Sequence, residues 1–295
     1  MAGNNKGFNI FANTLMTILV ICCIVPFVLL LAASITDEAT LTVKGYAFIP
    51  SKVSFEAYAY LFRAVAKIGK AYLMTIFVTA IGTIGNLFLT ITMAYLLSKK
   101  DLPGRNFLSF FVFFTMLFSG GMVPSYIVWG QYMHVKDSVA GLILPNLMLS
   151  GFNIILMRTY FTSNIPTELY EAADMDACSE IGKLIHIAIP LSKPMLATVG
   201  LFAGLAYWND WINGIYYLIK RTDLYTIQNM LNTMMNNVQF LKTNGLSAAE
   251  ATISQIPTSG VRMAIAVIAA LPVLIVYPFF QKFFVRGIVI GGVKG

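Results

Sequence analysis

Residues 13–35 run the width of a lipid bilayer without one charged side chain. A membrane-spanning helix needs about 20 mostly apolar residues, because a rise of about 1.5 Å per residue must cover a hydrocarbon core of about 30 Å. Five further stretches qualify by the same measure: 72–97, 106–130, 138–160, 195–219 and 261–284. The chain is 58% hydrophobic and 11% charged, against about 25% charged in soluble domains. One water-soluble core cannot enclose so much apolar surface. The expected fold is an all-α polytopic membrane protein with six transmembrane helices.

The first run has a rival reading as a cleaved signal peptide, since Ala32, Ala33 and Ser34 faintly suggest a cleavage site. Its apolar core is longer than the about 7–15 residues of a signal sequence, so a retained anchor is expected. The organisation then reads as an N-terminal tail (1–12), an anchor (13–35), a polar segment (36–71), a core of five spans (72–284) and a glycine-rich tail (285–295). The polar stretches 36–71 and 220–260 are too short and too polar for separate domains. Short helices at the membrane surface are expected there. Pro26, Gly120, Gly121, Pro124, Pro145, Asn146, Pro272 and Pro278 fall inside spans. Such residues are tolerated where neighbouring helices re-satisfy the backbone, so a packed bundle is expected, broken where a pathway runs.

Several function classes drop out. Cys22, Cys23 and Cys178 give no disulfide framework, and with only His134 and His186 there is no metal-ligand spacing, so no metal is expected. No GxxxxGK[ST] occurs, so the chain is not expected to hydrolyse ATP. The net charge of +7 reads as a topology signal rather than a nucleic-acid footprint, because no basic cluster is interleaved with aromatics. With the N-terminus inside, ten basic residues fall on each side. Lys99, Lys100 and Arg105 in one tight turn favour that orientation only weakly.

Residues 171–194 break the apolar pattern. They place Glu171, Asp174, Asp176, Glu180, Lys183, His186 and Lys193, with Pro190 and Pro194, between two apolar stretches. Pro166 suits a first helical turn, where its missing N–H costs nothing. Glu168 and Glu171 then lie near a helix N-terminus, which favours negative charge. Ala172, Ala173 and Ala177 are strong helix formers. Ala173 and Ala177, four apart, share one face of a continuous helix and would let another surface approach closely. The helix should weaken after Ser179 and end by Pro190. The residues alone leave two readings open: an amphipathic connector on the membrane, or a handle gripped by a soluble partner.

The fifth stretch contains Tyr207, Trp208, Asn209, Asp210, Trp211 and Asn213. An acid within a span is costly and usually faces the bundle interior or water. Aromatic rings for the apolar faces of sugars, beside amides and a carboxylate for hydroxyls, suit an oligosaccharide path. An aromatic belt with helix–helix hydrogen bonds explains the same residues. Gly200 and Gly204 read as a packing pair. Asn146, Asn153, Ser125, Tyr126 and Gln131 are weaker path candidates, and Arg158 reads as an interface anchor.

The stretch from Glu171 to Pro190 resembles the EAA motif of ABC-importer permeases: Glu-Ala-Ala, three residues, Gly, nine residues, Ile, one residue, Leu-Pro. Glu171, Ala172, Ala173, Ile187 and Pro190 match at the right spacing, while Ala177 replaces the glycine and Ile189 the leucine. The alanine is taken to mean that no special backbone angle is needed there. The lead-in Ile165–Tyr170, the segment Phe118–Tyr126, the Trp208-Asn209 pair and the end from Tyr277 to Gly295 resemble carbohydrate permeases of the polysaccharide or aldouronate-type branch. The resemblance covers residues 13 to 295.

It implies the six-helix type I importer permease fold (MetI-like) and a bacterial cytoplasmic membrane location with cytoplasmic termini. It implies a coupling helix seated in a cytosolic ATPase, carried by Glu171, Ala172, Ala173, Asp176, Ala177, Ile187 and Pro190. ATP and Mg would be bound by that partner and none by this chain. The other implied partners are a second homologous permease and an extracellular sugar-binding protein. The chain is then no enzyme but half of the pathway of an oligosaccharide or polysaccharide-fragment importer. The competing readings are the same machine for a polyamine, phosphate or peptide, and a self-sufficient carrier or intramembrane enzyme. Asp210 has no histidine or second acid near it in sequence to support the enzyme.

Overall fold

Apolar stretches that cannot leave a bilayer core must close their backbone hydrogen bonds within themselves, and the helix does this. The computed structural model describes residues 6–63, 65–243 and 258–292, and they are helical almost throughout. In chain order the helices are α1 (Lys6–Ser34), α2 (Glu38–Lys44), α3 (Glu56–Arg63), α4 (Val65–Ser98), α5 (Arg105–Leu117), α6 (Met122–Ile127), α7 (Ala140–Ile143) and α8 (Gly151–Asn164). They continue as α9 (Thr167–Met175), α10 (Glu180–Lys183), α11 (Ile189–Leu191), α12 (Lys193–Asn209), α13 (Ile212–Tyr217), α14 (Ile227–Thr243) and α15 (Thr258–Gly292).

Two of these helices, α1 and α4, are long and apolar enough to cross a membrane unbroken, and two bent pairs qualify if each is one span. The third expected span is one such pair. Its helix stops at Leu117, passes through Gly121 at φ +85°, and restarts at Met122 with a bend of 111°. The fourth expected span, 138–160, is not one helix either. It is α7, an irregular stretch over 144–150, and α8. The fifth breaks at Asp210 and Trp211, between α12 and α13. The sixth exceeds its expected range: α15 continues through most of the stretch read as a tail, while residues 293–295 lie outside the described residues.

The chain divides into two compact units, Met1–Ile68 with Leu231–Pro272 and Gly69–Met230 with Val273–Gly295. In the first unit, α1 is apolar on all sides and buries only Ala32, Ala33 and Ser34 at its end. Such a helix suits lipid contact rather than water. The following turn is pinned by a β-bridge between Thr36 and Val53, a 2.9 Å contact between the Ser34 and Tyr58 hydroxyls, and a Lys52–Asp37 ion pair of 3.2 Å. The Glu38 carboxylate accepts the Ser259 and Gly260 N–H groups, each at 2.8 Å, at the start of α15. A carboxylate there complements the helix dipole.

In the second unit α4 is the frame, and it explains how the breaks are tolerated. Asn86 of α4 donates its amide to the Leu147 carbonyl at 2.8 Å, in the irregular stretch. Asn213 donates to the Pro145 carbonyl at 3.0 Å, and the Tyr207 hydroxyl donates to the Ile143 carbonyl at 2.9 Å. Asn146 lies between them at φ +62°, which asparagine accepts more readily than most residues. Tyr207 reaches this position because Gly82 of α4 leaves a notch for its ring. A Cβ on residue 82 would lie 2.4 Å from the ring. Thr75 of α4 accepts the Ile227 N–H at 2.8 Å at the start of α14.

Gly82→Ala should therefore destabilise the protein by about 1–3 kcal/mol through overpacking. The check is the apparent melting temperature of the detergent-purified transporter. An unchanged midpoint would mean that the Tyr207 ring is not held in the notch.

Candidate functional site

The polar loop folds into two short helices. α9 spans Thr167–Met175, preceded by Pro166, with Glu168 in its first turn. It ends in a Schellman motif: the Cys178 N–H reaches the Ala173 carbonyl at 2.9 Å, and the Ala177 N–H reaches the Asp174 carbonyl at 3.0 Å. That motif requires a left-handed residue after the helix, usually glycine. Ala177 occupies the position at φ +54°. This corrects the expectation that no special backbone angle is needed there. It also supplies a physical reason for the glycine of the EAA pattern. Ala173 and Ala177 do not share an outward face, because the helix ends between them. Ala173 is buried, while Glu171, Ala172, Asp176 and Ala177 are exposed. Ile187 is half-buried and Pro190 exposed, beyond α10.

The second helix, α10, is capped by Ser179, whose hydroxyl accepts the Gly182 N–H at 3.1 Å. Lys183, at its end, is 3% exposed and was not singled out from the sequence. Its ammonium bonds the carboxylates of Asp174 in α9 and, at 2.7 Å, Glu180 in α10. One buried cation thus staples the two helices. Asp174 and Glu180 hold the Lys183 pKa above its ordinary value. Glu180 also accepts the Tyr95 hydroxyl at 2.9 Å and pairs with Lys99 at 2.9 Å. The Lys99 ammonium stands 4.8 Å from the centre of the Tyr95 ring and 4.5 Å from that of Tyr170. Hydrogen bonds from Lys183, Lys99 and Tyr95 hold the Glu180 carboxyl down at about 2. The spacing of Tyr95 and Lys99, four apart at the end of α4 and just past it, was the available signal. Their partner on α10 was not visible from it.

The residues proposed for a solute path part company. Tyr207 and Asn213 are enclosed and committed to the backbone carbonyls of the 143–145 turn. The Asp210 carboxylate caps α13, accepting the Ile212 N–H at 3.1 Å and the Asn213 N–H at 3.3 Å. Trp208 packs beside Tyr72 at 6.3 Å between ring centres. Asn209 and Trp211 are exposed, and Asn209 accepts from the Gln228 amide at 3.5 Å. Among the weaker candidates, Asn153 is buried near the start of α8, where its N–H reaches the Ser150 hydroxyl at 3.4 Å, and Gln131 is exposed. Tyr126 stacks on Tyr217 at 6.1 Å, and Lys136 lies 4.3 Å from the Tyr126 ring centre. The Ser125 carbonyl accepts the Tyr217 hydroxyl at 3.5 Å. The Arg158 Nε donates to the Leu97 carbonyl at 3.1 Å.

Asp137 went unremarked in the sequence. Its carboxylate accepts three consecutive N–H groups, of Ile219, Lys220 and Arg221, at 2.8, 2.7 and 3.1 Å. The Lys220 and Arg221 N–H groups are the largest cause of its lowered pKa. Among the described residues no group of three or more His, Cys, Asp and Glu side chains could hold a metal ion.

Long apolar helices with broken neighbours and an exposed, rigidly stapled loop are the build of a membrane permease. No family model matches the sequence. It is 37% identical over 294 residues to the polygalacturonan/rhamnogalacturonan transport system permease protein YtcP of Bacillus subtilis (strain 168), covering 99% of each chain. It is 39% identical over 272 residues to protein LplC of the same organism, covering 92% of this chain and 90% of the relative. Among solved structures, a bacterial ABC transporter involved in the import of the acidic polysaccharide alginate superposes with a TM-score of 0.79 at 31% identity, over 96% of this chain and 99% of that one. The chain belongs to the ABC transporter permeases.

Ala177→Gly should stabilise the loop by about 0.5–1 kcal/mol, since a left-handed alanine costs roughly 1–2 kcal/mol and glycine's extra unfolded freedom returns part of it. Slower amide exchange at Ala173–Cys178 would show it, and faster exchange would contradict it. Glu180 adds a pH dependence. Its folded pKa lies below the ordinary 4.5, so its contribution is full above that value and is lost as pH falls toward about 2. Proteolysis of the loop should accelerate within that window and stay flat from about pH 5 to 8. Acceleration above pH 5 would contradict the assignment.

Proposed function

We propose that this chain is one permease subunit of an ATP-driven importer of oligosaccharides or polysaccharide fragments, forming half of a six-span-per-subunit pathway. The observation that carries the reading is similarity along almost the whole chain to a permease named for polygalacturonan and rhamnogalacturonan, and to a structure titled for alginate import. The arabinooligosaccharide permease AraQ of Bacillus subtilis, 28% identical over 256 residues, points to the same solute class. The complete machine would hold this chain, a second homologous permease, two cytosolic ATPase subunits that bind ATP and Mg, and an external sugar-binding protein.

In this reading α9 docks in a cleft of the ATPase, with Glu171 and Asp176 as exposed charges at the contact. Both chain termini would be cytoplasmic. Closure of the two ATPases on ATP brings the docked helices together, and the bundle rocks between inward and outward access. Ala172 and Ala177 keep the exposed surface of the loop low. Asn209 and Trp211, open at the break between α12 and α13, would meet the solute. Tyr207, Asn213 and Asp210 would hold the break in shape.

Glu171→Lys reverses charge at the proposed contact. It should lower ATP-dependent oligosaccharide uptake in proteoliposomes at least about tenfold and reduce the ATPase that co-purifies with the permease. Full uptake with undiminished co-purification would refute the docking role of α9.

A further inference from the structure

The force delivered to the loop has two ways into the bundle. The covalent way runs from α10 through a π-helical turn, Leu184–Ala188, into α11 and then α12. This way contains a sharp bend: the helices on either side of Ser192 meet at 85°. Ser192 is fully buried, and its hydroxyl has no hydrogen-bond partner among the described residues. A displacement along α10 and α11 is therefore turned through that angle before it reaches α12.

The other way crosses side chains to the end of α4. Glu180 of α10 grips Tyr95 and Lys99 at the bonds given above, and Tyr170 of α9 lies against the Lys99 ammonium. Both helices of the loop therefore hold one α-helical end, and Lys183 locks them into one body. α4, with this clamp at its C-terminal end, runs 34 residues without a break. Along its length it carries the groups that hold the interrupted segments: Asn86 on the 144–150 stretch, Gly82 around the Tyr207 ring, and Thr75 on the start of α14.

We propose that Tyr95, Lys99 and Glu180 are positioning residues for energy coupling: they form a clamp through which the loop drives α4, and α4 carries the stroke to the breaks that border the pathway. This rests on the permease reading and adds a route to it. Charge-assisted hydrogen bonds to one carboxylate suit the task, since they are short, directional and stronger than neutral ones. Tyr95 is buried and Lys99 half-buried, and the exposed Glu180 carboxylate is committed to them, whereas docking uses Glu171 on α9, which takes no part in the clamp. The two functions are separable by mutation.

The test uses the complete transporter in proteoliposomes, with its ATPase and binding protein, and reads oligosaccharide imported per ATP hydrolysed. Tyr95→Phe combined with Lys99→Met removes both bonds to α4 while leaving the Asp174–Lys183–Glu180 staple in place. The ratio should fall at least about fivefold, with ATPase co-purification and basal hydrolysis unchanged. Lys99→Arg, which keeps the charge, should stay within about twofold of wild type. An unchanged ratio in the double variant overturns the proposal. So does a loss of uptake and hydrolysis in step with the amount of assembled complex, which marks a purely structural role. Loss of ATPase co-purification in wild type would instead sink the underlying permease reading, so the two failures are distinguishable.

Discussion

Backbone that leaves the helix inside a bilayer must find its hydrogen bonds within the protein, and this constraint organises the second unit. The stretch 144–150 has no helix of its own. Its carbonyls, and that of Ile143 just before it, are met by side chains from three places: Asn86 on α4, Tyr207 on α12 and Asn213 on α13. The break after α12 is closed in the same manner. Asp210 caps the start of α13, and Asn229 donates its amide to the Trp211 carbonyl at 2.6 Å. Asn229 can reach that carbonyl because residue 214 is glycine; a Cβ there would lie 2.1 Å from its amide atoms. Irregular backbone is thus fixed rather than loose, and it can border a pathway without collapsing.

The same residue types serve two ends within a few positions. Tyr207, Asp210 and Asn213 face inward and hold backbone, while Asn209 and Trp211 open outward. The exposed amide and indole proposed to meet the solute therefore rest on a layer of committed polar groups. The loop shows a parallel division. Its four acids from Glu171 to Glu180 are all exposed, but Asp174 and Glu180 are committed to Lys183, whereas Glu171 and Asp176 make no ion pair among the described residues. An acid's sequence position says little about which group it joins. What decides it is whether a buried cation lies within reach.

This explains what was legible in the sequence. Length and hydropathy located α1, α4 and α15 to within several residues, because those signals are local. Of the residues read as possible interruptions, Gly121 falls at the break in the third segment, where φ +85° suits glycine, while Pro26, Pro272 and Pro278 lie inside unbroken helices. The 111° bend that follows was not visible. The commitment of Tyr207 to a carbonyl 64 residues earlier was beyond any periodicity argument. Ala177 misled most directly: alanine's helix propensity suggested continuation, and the structure ends the helix there in a left-handed turn. The glycine of the EAA pattern was the better guide. In the sequence Lys183 is only one charge of a polar loop, yet its buried ammonium joins α9 to α10.

Uptake of labelled oligosaccharides by sealed vesicles containing this chain with the partner permease, ATPase and binding protein of the proposed importer is the decisive measurement. Accumulation that requires hydrolysable ATP and disappears when the ATPase is omitted is the predicted result. Transport by vesicles that contain this chain alone, with neither ATPase nor nucleotide, would contradict it.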